Sequence, residues 1–253
     1  MDRRELIQFV AGAVAASSLA NMSSSAKPEE KAEAGDKTAL EQGAVVLFQG
    51  DSITDARRDK KKFAQRPNNS SALGDGYPLL IAGQILRDNP TKDLKFFNRG
   101  ISGHKVPDLQ KRWQKDCINM KPALLSILIG VNDLMHRFKG RYDGSVEDYR
   151  VGFTELVDLT KKELPNVKLV ICEPFALRCG NVNDNWFPEF DERRQVAAEV
   201  AQAVEAIWVP FQTMFDTAIN AGTDAEFWAA DGVHPTIAGH TLMAETWRKC
   251  VGI

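Results

Sequence analysis

The sequence predicts an α/β protein: a three-layer α/β/α sandwich around a central parallel sheet of about five strands. Three observations carry this. Short apolar runs alternate with longer segments of helical periodicity, the rhythm of consecutive βαβ units. With 253 residues, 43% hydrophobic and 26% charged, and no internal repeat, the chain has the material for one large domain with a full core. Glycine-bearing polar blocks follow the first three apolar runs, and a fourth precedes the final helical segment, which is where an open parallel sheet collects function.

Five apolar residues in succession, 44–48, read as a buried strand that runs into the turn "GDSIT". Further strands are expected at 94–97, 124–129, 167–172 and 206–209. Helices are expected at 77–87, 106–119, 146–163, 190–204 and 235–250, where apolar residues recur at helical spacing. Right-handed crossovers through them leave the strands parallel, with helices on both faces of the sheet.

Residues 1–26 read as an address and not as fold. Arg3 and Arg4 form a pair, residues 6–20 are moderately apolar, and small residues lead up to Ala26, the order of a bacterial twin-arginine export signal. The apolar stretch falls short of the about 20 residues that span a bilayer, so no stable membrane insertion of the mature chain is expected. Residues 27–42 read as a flexible linker and 43–253 as the folded domain. The exported protein is expected in the periplasm or outside the cell. An oxidising compartment permits disulfides, but Cys117, Cys172, Cys179 and Cys250 show no CxxC or Cys/His spacing. Buried free thiols are expected, with a Cys172 to Cys179 bridge as the alternative.

A net charge of -2 lacks the basic excess a nucleic-acid partner would require. The sequence leaves room for a homo-oligomer.

Four polar blocks stand out in order: "GDSIT" at Ser52, "NRGISGH" at Gly103, "GVND" at Asn132, and "DGVHP" at Asp231 and His234. Together they resemble the four blocks of the SGNH hydrolases, the GDSL esterase and lipase family. The resemblance runs from Gly43 to Ile253 and implies the flavodoxin-like SGNH fold. The stretches "LGDGYPLL", "NRGISGHKVPDLQKRW", "SILIGVND" and "WAADGVHPTIAGH" are most similar to the acetylxylan esterase branch, serine hydrolases that remove acetyl groups from plant polysaccharide. Ile53 replaces the leucine of the literal GDSL string, and Arg57 stands where members of the family often carry a glycine.

Ester hydrolysis needs a nucleophile, a base, a group that orients the base, and donors for the oxyanion. Ser52, on the turn after the first strand, is the candidate nucleophile, against a plain helix N-cap. His234 is the candidate base, against a surface histidine before a helix-starting proline. Asp231, three residues earlier, is close enough to fix the imidazole tautomer, whereas Asp51 is assigned to holding the turn. The Ser52 and Gly103 amides and the Asn132 side chain are the candidate oxyanion donors. Gly100 rivals Gly103, and only the family's second block favours the latter.

The expected function is therefore a serine esterase for short, acetyl-type esters on a carbohydrate such as xylan, with a small ester or acetylated polysaccharide as partner and no cofactor. A lysophospholipase or broad acyl esterase, and a non-catalytic carbohydrate- or cofactor-binding α/β protein, are the alternatives. Zinc held by His104, His136, His234 and Asp231 is disfavoured, since none of them shares the helical spacing of hydrolytic zinc motifs, and no metal is expected. His240 reads as a packing or surface residue. Trp228 and Trp186 are candidate sugar platforms, although aromatics more often belong to cores. The basic run Arg57, Arg58, Lys60, Lys61, Lys62 and Arg66 reads first as a solvated loop and second as an attractor for an acidic polymer.

Overall fold

A computed structural model describes residues 39–253. The expected export signal, 1–26, and positions 27–38 of the expected linker lie outside them. The described chain runs β1 Val45–Gly50, α1 Ser52–Asp55, α2 Ser70–Leu73, α3 Tyr77–Asp88, β2 Lys95–Asn98, α4 Val106–Asp116, β3 Leu124–Leu128 and α5 Val131–Phe138. It continues through α6 Val146–Glu163, β4 Lys168–Cys172, α7 Glu189–Ala203, β5 Ile207–Val209, α8 Phe211–Asn220, α9 Ala225–Trp228 and α10 Ile237–Val251.

All five strands are parallel, in the order β2-β1-β3-β4-β5. Alternate strand residues feed two separate cores, as the two-residue side-chain period requires. Val46, Phe48, Leu124 and Val170 pack against α3, α8 and α10 through side chains such as Ile81, Phe215 and Trp247. Leu47, Leu125, Ile127 and Ile171 face α4, α6 and α7 through Trp113, Phe153 and Val196. The expected three-layer sandwich is the observed fold, and no helix among the described residues is long and apolar enough to cross a membrane.

Several boundaries differ from the sequence reading. The first strand continues past Phe48, because buried Gln49 finds partners on α4: its Nε2 donates to Asp116 O at 2.7 Å and its Oε1 accepts from Arg112 at 2.9 Å. Gln49 and Gly50 therefore stay in register with Ile127 and Leu128 of β3. The last helix starts at Ile237 and not at Pro235, because Thr236 Oγ1 caps it by accepting from Gly239 N at 3.2 Å. Helix α4 ends at Asp116, and a 3-10 turn, Ile118–Met120, takes up the remainder of the expected span. All four cysteines are free, so the Cys172 to Cys179 alternative is not realised.

Candidate active site

The turn after β1 is built to leave one amide unused. Asp51 caps α1, its Oδ1 accepting from Ile53 N at 3.0 Å. That bond satisfies the second helical amide and leaves the N–H of Ser52, at the first helical position, without an acceptor among the described residues. The Ser52 side chain turns the other way, its Oγ lying 2.8 Å from His234 Nε2. The opposite ring nitrogen, His234 Nδ1, lies 2.7 Å from Asp231 Oδ2. Asp231 Oδ1 accepts from the backbone amides of Val233 at 2.9 Å and His234 at 2.7 Å, which locks the carboxylate under its own loop. Burial raises the Asp231 pKa, but the bonds from the imidazole and these amides outweigh it and hold the carboxyl below its usual range.

The loop carrying Asp231 and His234 is pinned from two sides. Leu177 N donates to Gly232 O at 2.8 Å and Asn181 N to Asp231 O at 3.0 Å, both from the segment after β4. Thr236 N donates to the carbonyl of Trp228 at 2.8 Å. That carbonyl is the contribution of Trp228 to this region. Its indole donates to Thr223 and packs against Phe215 and Phe227, and it lines neither of the cavities described below.

The second block decides between two glycines. The amide of Gly100 is spent on Asn98 Oδ1 at 2.8 Å, and the carbonyl of Gly100 accepts from buried Arg58 at 2.8 Å. A Cβ on Gly100 would stand 2.4 Å from Asp55 N, so this glycine serves close packing against the nucleophile turn. Gly103 instead has φ 80°, a left-handed conformation, and its N–H has no acceptor among the described residues. Asn132, at the second position of α5 after β3, is buried with Nδ2 unpartnered. It lies near enough to Asp51 to lower that carboxyl's pKa, yet outside hydrogen-bond geometry. Three unused donors, from the ends of β1, β2 and β3, thus remain in the blocks that flank Ser52.

One brace escaped sequence reading. Asp55, fully buried at the end of α1, accepts from Ser102 N and Ser102 Oγ, each at 2.9 Å, and from Lys60 Nζ at 2.9 and 2.7 Å. Burial raises its pKa, but Lys60 and Ser102 overcome that and bring it below the usual value. It ties the loop of Gly103 to the turn of Ser52. The same bonds change the reading of the basic run, since Arg58 is buried and Lys60 is bonded to Asp55, while Arg57 pairs with Asp75 at 3.1 Å. Ala56 and Arg57 adopt φ of 41° and 60°, the conformation for which a glycine would be the unstrained choice.

Two cavities meet at His234. One, of about 550 Å³, is lined by Ser52, Ile53, Arg57, Ser102, His234 and His240. The other, of about 480 Å³, holds Asp231 and His234 against α5 and the loop after β4, including Trp186. His240 is half-buried: its Nδ1 accepts from Tyr77 N at 3.2 Å, and burial, then the nearby His234, lowers its pKa to about 4. His104 is engaged by Arg112 at 3.2 Å, and no three potential ligands converge on a metal position among the described residues.

A parallel sheet with a serine, a histidine and a carboxylate in hydrogen-bond contact at its strand ends defines a hydrolase-like α/β architecture. Residues 48–242 match the GDSL-like Lipase/Acylhydrolase family. An acetylxylan esterase of Geobacillus stearothermophilus is 32% identical over 215 residues, 83% of this chain and 94% of that protein. Among solved structures, a GDSL-like lipase from Parabacteroides merdae superposes with a TM-score of 0.82 at 43% identity, covering 86% of this chain and 99% of the other. Axe2, an acetylxylan esterase from Geobacillus stearothermophilus, superposes with a TM-score of 0.74 at 30% identity, covering 84% and 96%. The chain belongs to the GDSL-like lipase/acylhydrolase family, and is on that ground a carboxylic ester hydrolase.

Proposed function

We propose that the protein is a serine esterase that removes acetyl groups from carbohydrate, with Ser52 as nucleophile, His234 as base and Asp231 orienting the base. The observation that carries this is the continuous relay of 2.8 Å from Ser52 Oγ to His234 Nε2 and 2.7 Å from His234 Nδ1 to Asp231 Oδ2. Ser52 Oγ attacks the ester carbonyl carbon while His234 Nε2 takes its proton. The negative charge gathers on the carbonyl oxygen, where the amides of Ser52 and Gly103 and Asn132 Nδ2 donate to it. Collapse of that intermediate breaks the ester C–O bond, and the proton on His234 passes to the departing alcohol. Water then attacks the acetyl-serine, again giving its proton to His234. Acetate leaves as the proton returns to Ser52.

A sugar acetate is favoured over a long-chain ester by the amides of Asn181, Asn183 and Asn185 in one cavity and by Ser102, Arg57 and Asp75 beside the apolar Ile53 and Ile237 in the other. The acetylxylan esterase relative supports the same substrate class. Acetate release should be measured on acetylated xylan, pectin, sialate and a lysophospholipid. Xylan should be favoured and Ser52→Ala inactive while still folded. Fatty-acid release from the lysophospholipid with no acetate from any glycan would move the protein to the acyl esterases. We also propose export through residues 1–26, supported by the ordered arginine pair, apolar run and small residues. Replacing Arg3 and Arg4 with Lys should retain the protein in the cytoplasm, and unchanged fractionation would refute that route.

A further inference from the structure

We propose that the 480 Å³ cavity holds the sugar that carries the ester, and that Lys139 recognises the carboxylate of a uronate branched from that sugar, so the preferred substrate is an acetylated glycan bearing a uronate. This rests on the esterase reading of the same site. His234 lines this cavity as well as the one containing Ser52, which places a molecule here beside the group that passes a proton to the departing alcohol. One wall is aromatic: Phe138, 50% exposed, offers an apolar face to the C–H surface of a pyranose, while Trp186, a candidate platform from the sequence, is buried behind it with ring centroids 5.9 Å apart. The remaining wall is amide. The side chains of Asn181 and Asn185 make no hydrogen bond to the described residues, leaving their donors and acceptors for hydroxyls.

Lys139, the cation that lines this cavity, differs from Arg57, which lines the other, and from Arg137 and Arg178. Arg137 is paired with Glu189 at 2.7 Å, Arg178 with Asp184, and, across His234, Arg57 with Asp75. The Lys139 ammonium has only the sulfur of Met135, at 3.2 Å, and no carboxylate partner among the described residues. Asp231, the carboxylate of the same cavity, is already committed to His234. The surroundings are electropositive: His136, on the same helix, is pushed down by burial and then by Lys105, Lys139 and Arg141. A lysine after the last turn of α5 also suits the helix dipole, but that role makes no distinction between charged and neutral substrates.

The test compares two acetylated xylooligosaccharides, one neutral and one with a single glucuronate branch, on the native protein and on Lys139→Gln. The native protein should show kcat/KM about threefold to tenfold higher on the acidic sugar, as expected of a partly exposed charge pair. Lys139→Gln should treat the two alike, its kcat/KM falling on the acidic sugar far more than on the neutral one. In parallel, calorimetry with Ser52→Ala should show tighter binding of the deacetylated glucuronate oligosaccharide than of the neutral one, and the preference should vanish when Lys139→Gln is added. No preference in the native protein, or a preference that survives Lys139→Gln, overturns the assignment. If neither sugar releases acetate but the binding preference and its loss both hold, the esterase reading fails and the cavity assignment stands.

Discussion

Asp51 and Ser52 are adjacent in sequence and opposite in environment. Ser52 faces His234 at the mouth of a cavity, whereas Asp51 is buried, with one oxygen on Ile53 N and the other without a partner. Burial pushes the Asp51 pKa up to about 7, with Asp133 adding to the rise and the Ile53 amide, His234 and Asn132 opposing it. The raised value has a thermodynamic sign. Between about 4 and about 7 the folded protein holds a proton on Asp51 that the unfolded chain has released, so stability falls as pH rises through that window. Asp51→Asn keeps an oxygen to cap α1 and removes the titration. Its stability relative to the native protein, from urea unfolding at a series of pH values, should therefore increase from pH 4 to pH 7. A difference independent of pH would mean that Asp51 is ionised throughout.

At the scale of elements, the site depends on short pieces that hydrophobic periodicity could not reveal. Helix α1 has four residues and α5 eight, too short for an apolar stripe to repeat, and neither is among the helices the sequence predicts. The long elements were legible because their faces are apolar at regular spacing, and α6, Val146–Glu163, keeps its expected bounds under a Ser145 capping box. Ser52, Asp231 and His234 were legible through local motif spacing, and the structure places all three together. In the sequence only the family resemblance favours Gly103 over Gly100; the physical distinction needs three dimensions, since it rests on the partner Asn98 supplies to the Gly100 amide alone. Asp55 was invisible for the same reason, because its contacts with Ser102 span 47 positions. Asp55→Asn should remove the charge that Lys60 pairs with inside the protein and cost about 1–3 kcal/mol in denaturant unfolding. It should also lower kcat on p-nitrophenyl acetate, because Gly103 follows Ser102 directly. Stability and kcat both unchanged would show that the brace is dispensable.

Over the whole molecule, the strand order β2-β1-β3-β4-β5 reverses direction between β1 and β3. There the connections leave on opposite faces of the sheet and a crevice opens at the strand ends. Ser52 follows β1 and Asn132 follows β3, so the proposed nucleophile and the proposed side-chain oxyanion donor flank this crevice, with Gly103 arriving from the neighbouring β2. Asp231 and His234 come from the far end of the chain, held by the loop after β4. These groups are proposed to activate one serine among the many in the chain. Treatment with a fluorophosphonate that modifies activated serine hydroxyls, followed by peptide mass spectrometry, tests this most directly. A single phosphonylated site is expected at Ser52, with complete loss of esterase activity in step with labelling and no labelling of His234→Ala. Labelling at another serine, or esterase activity that persists after Ser52 is fully modified, would contradict it.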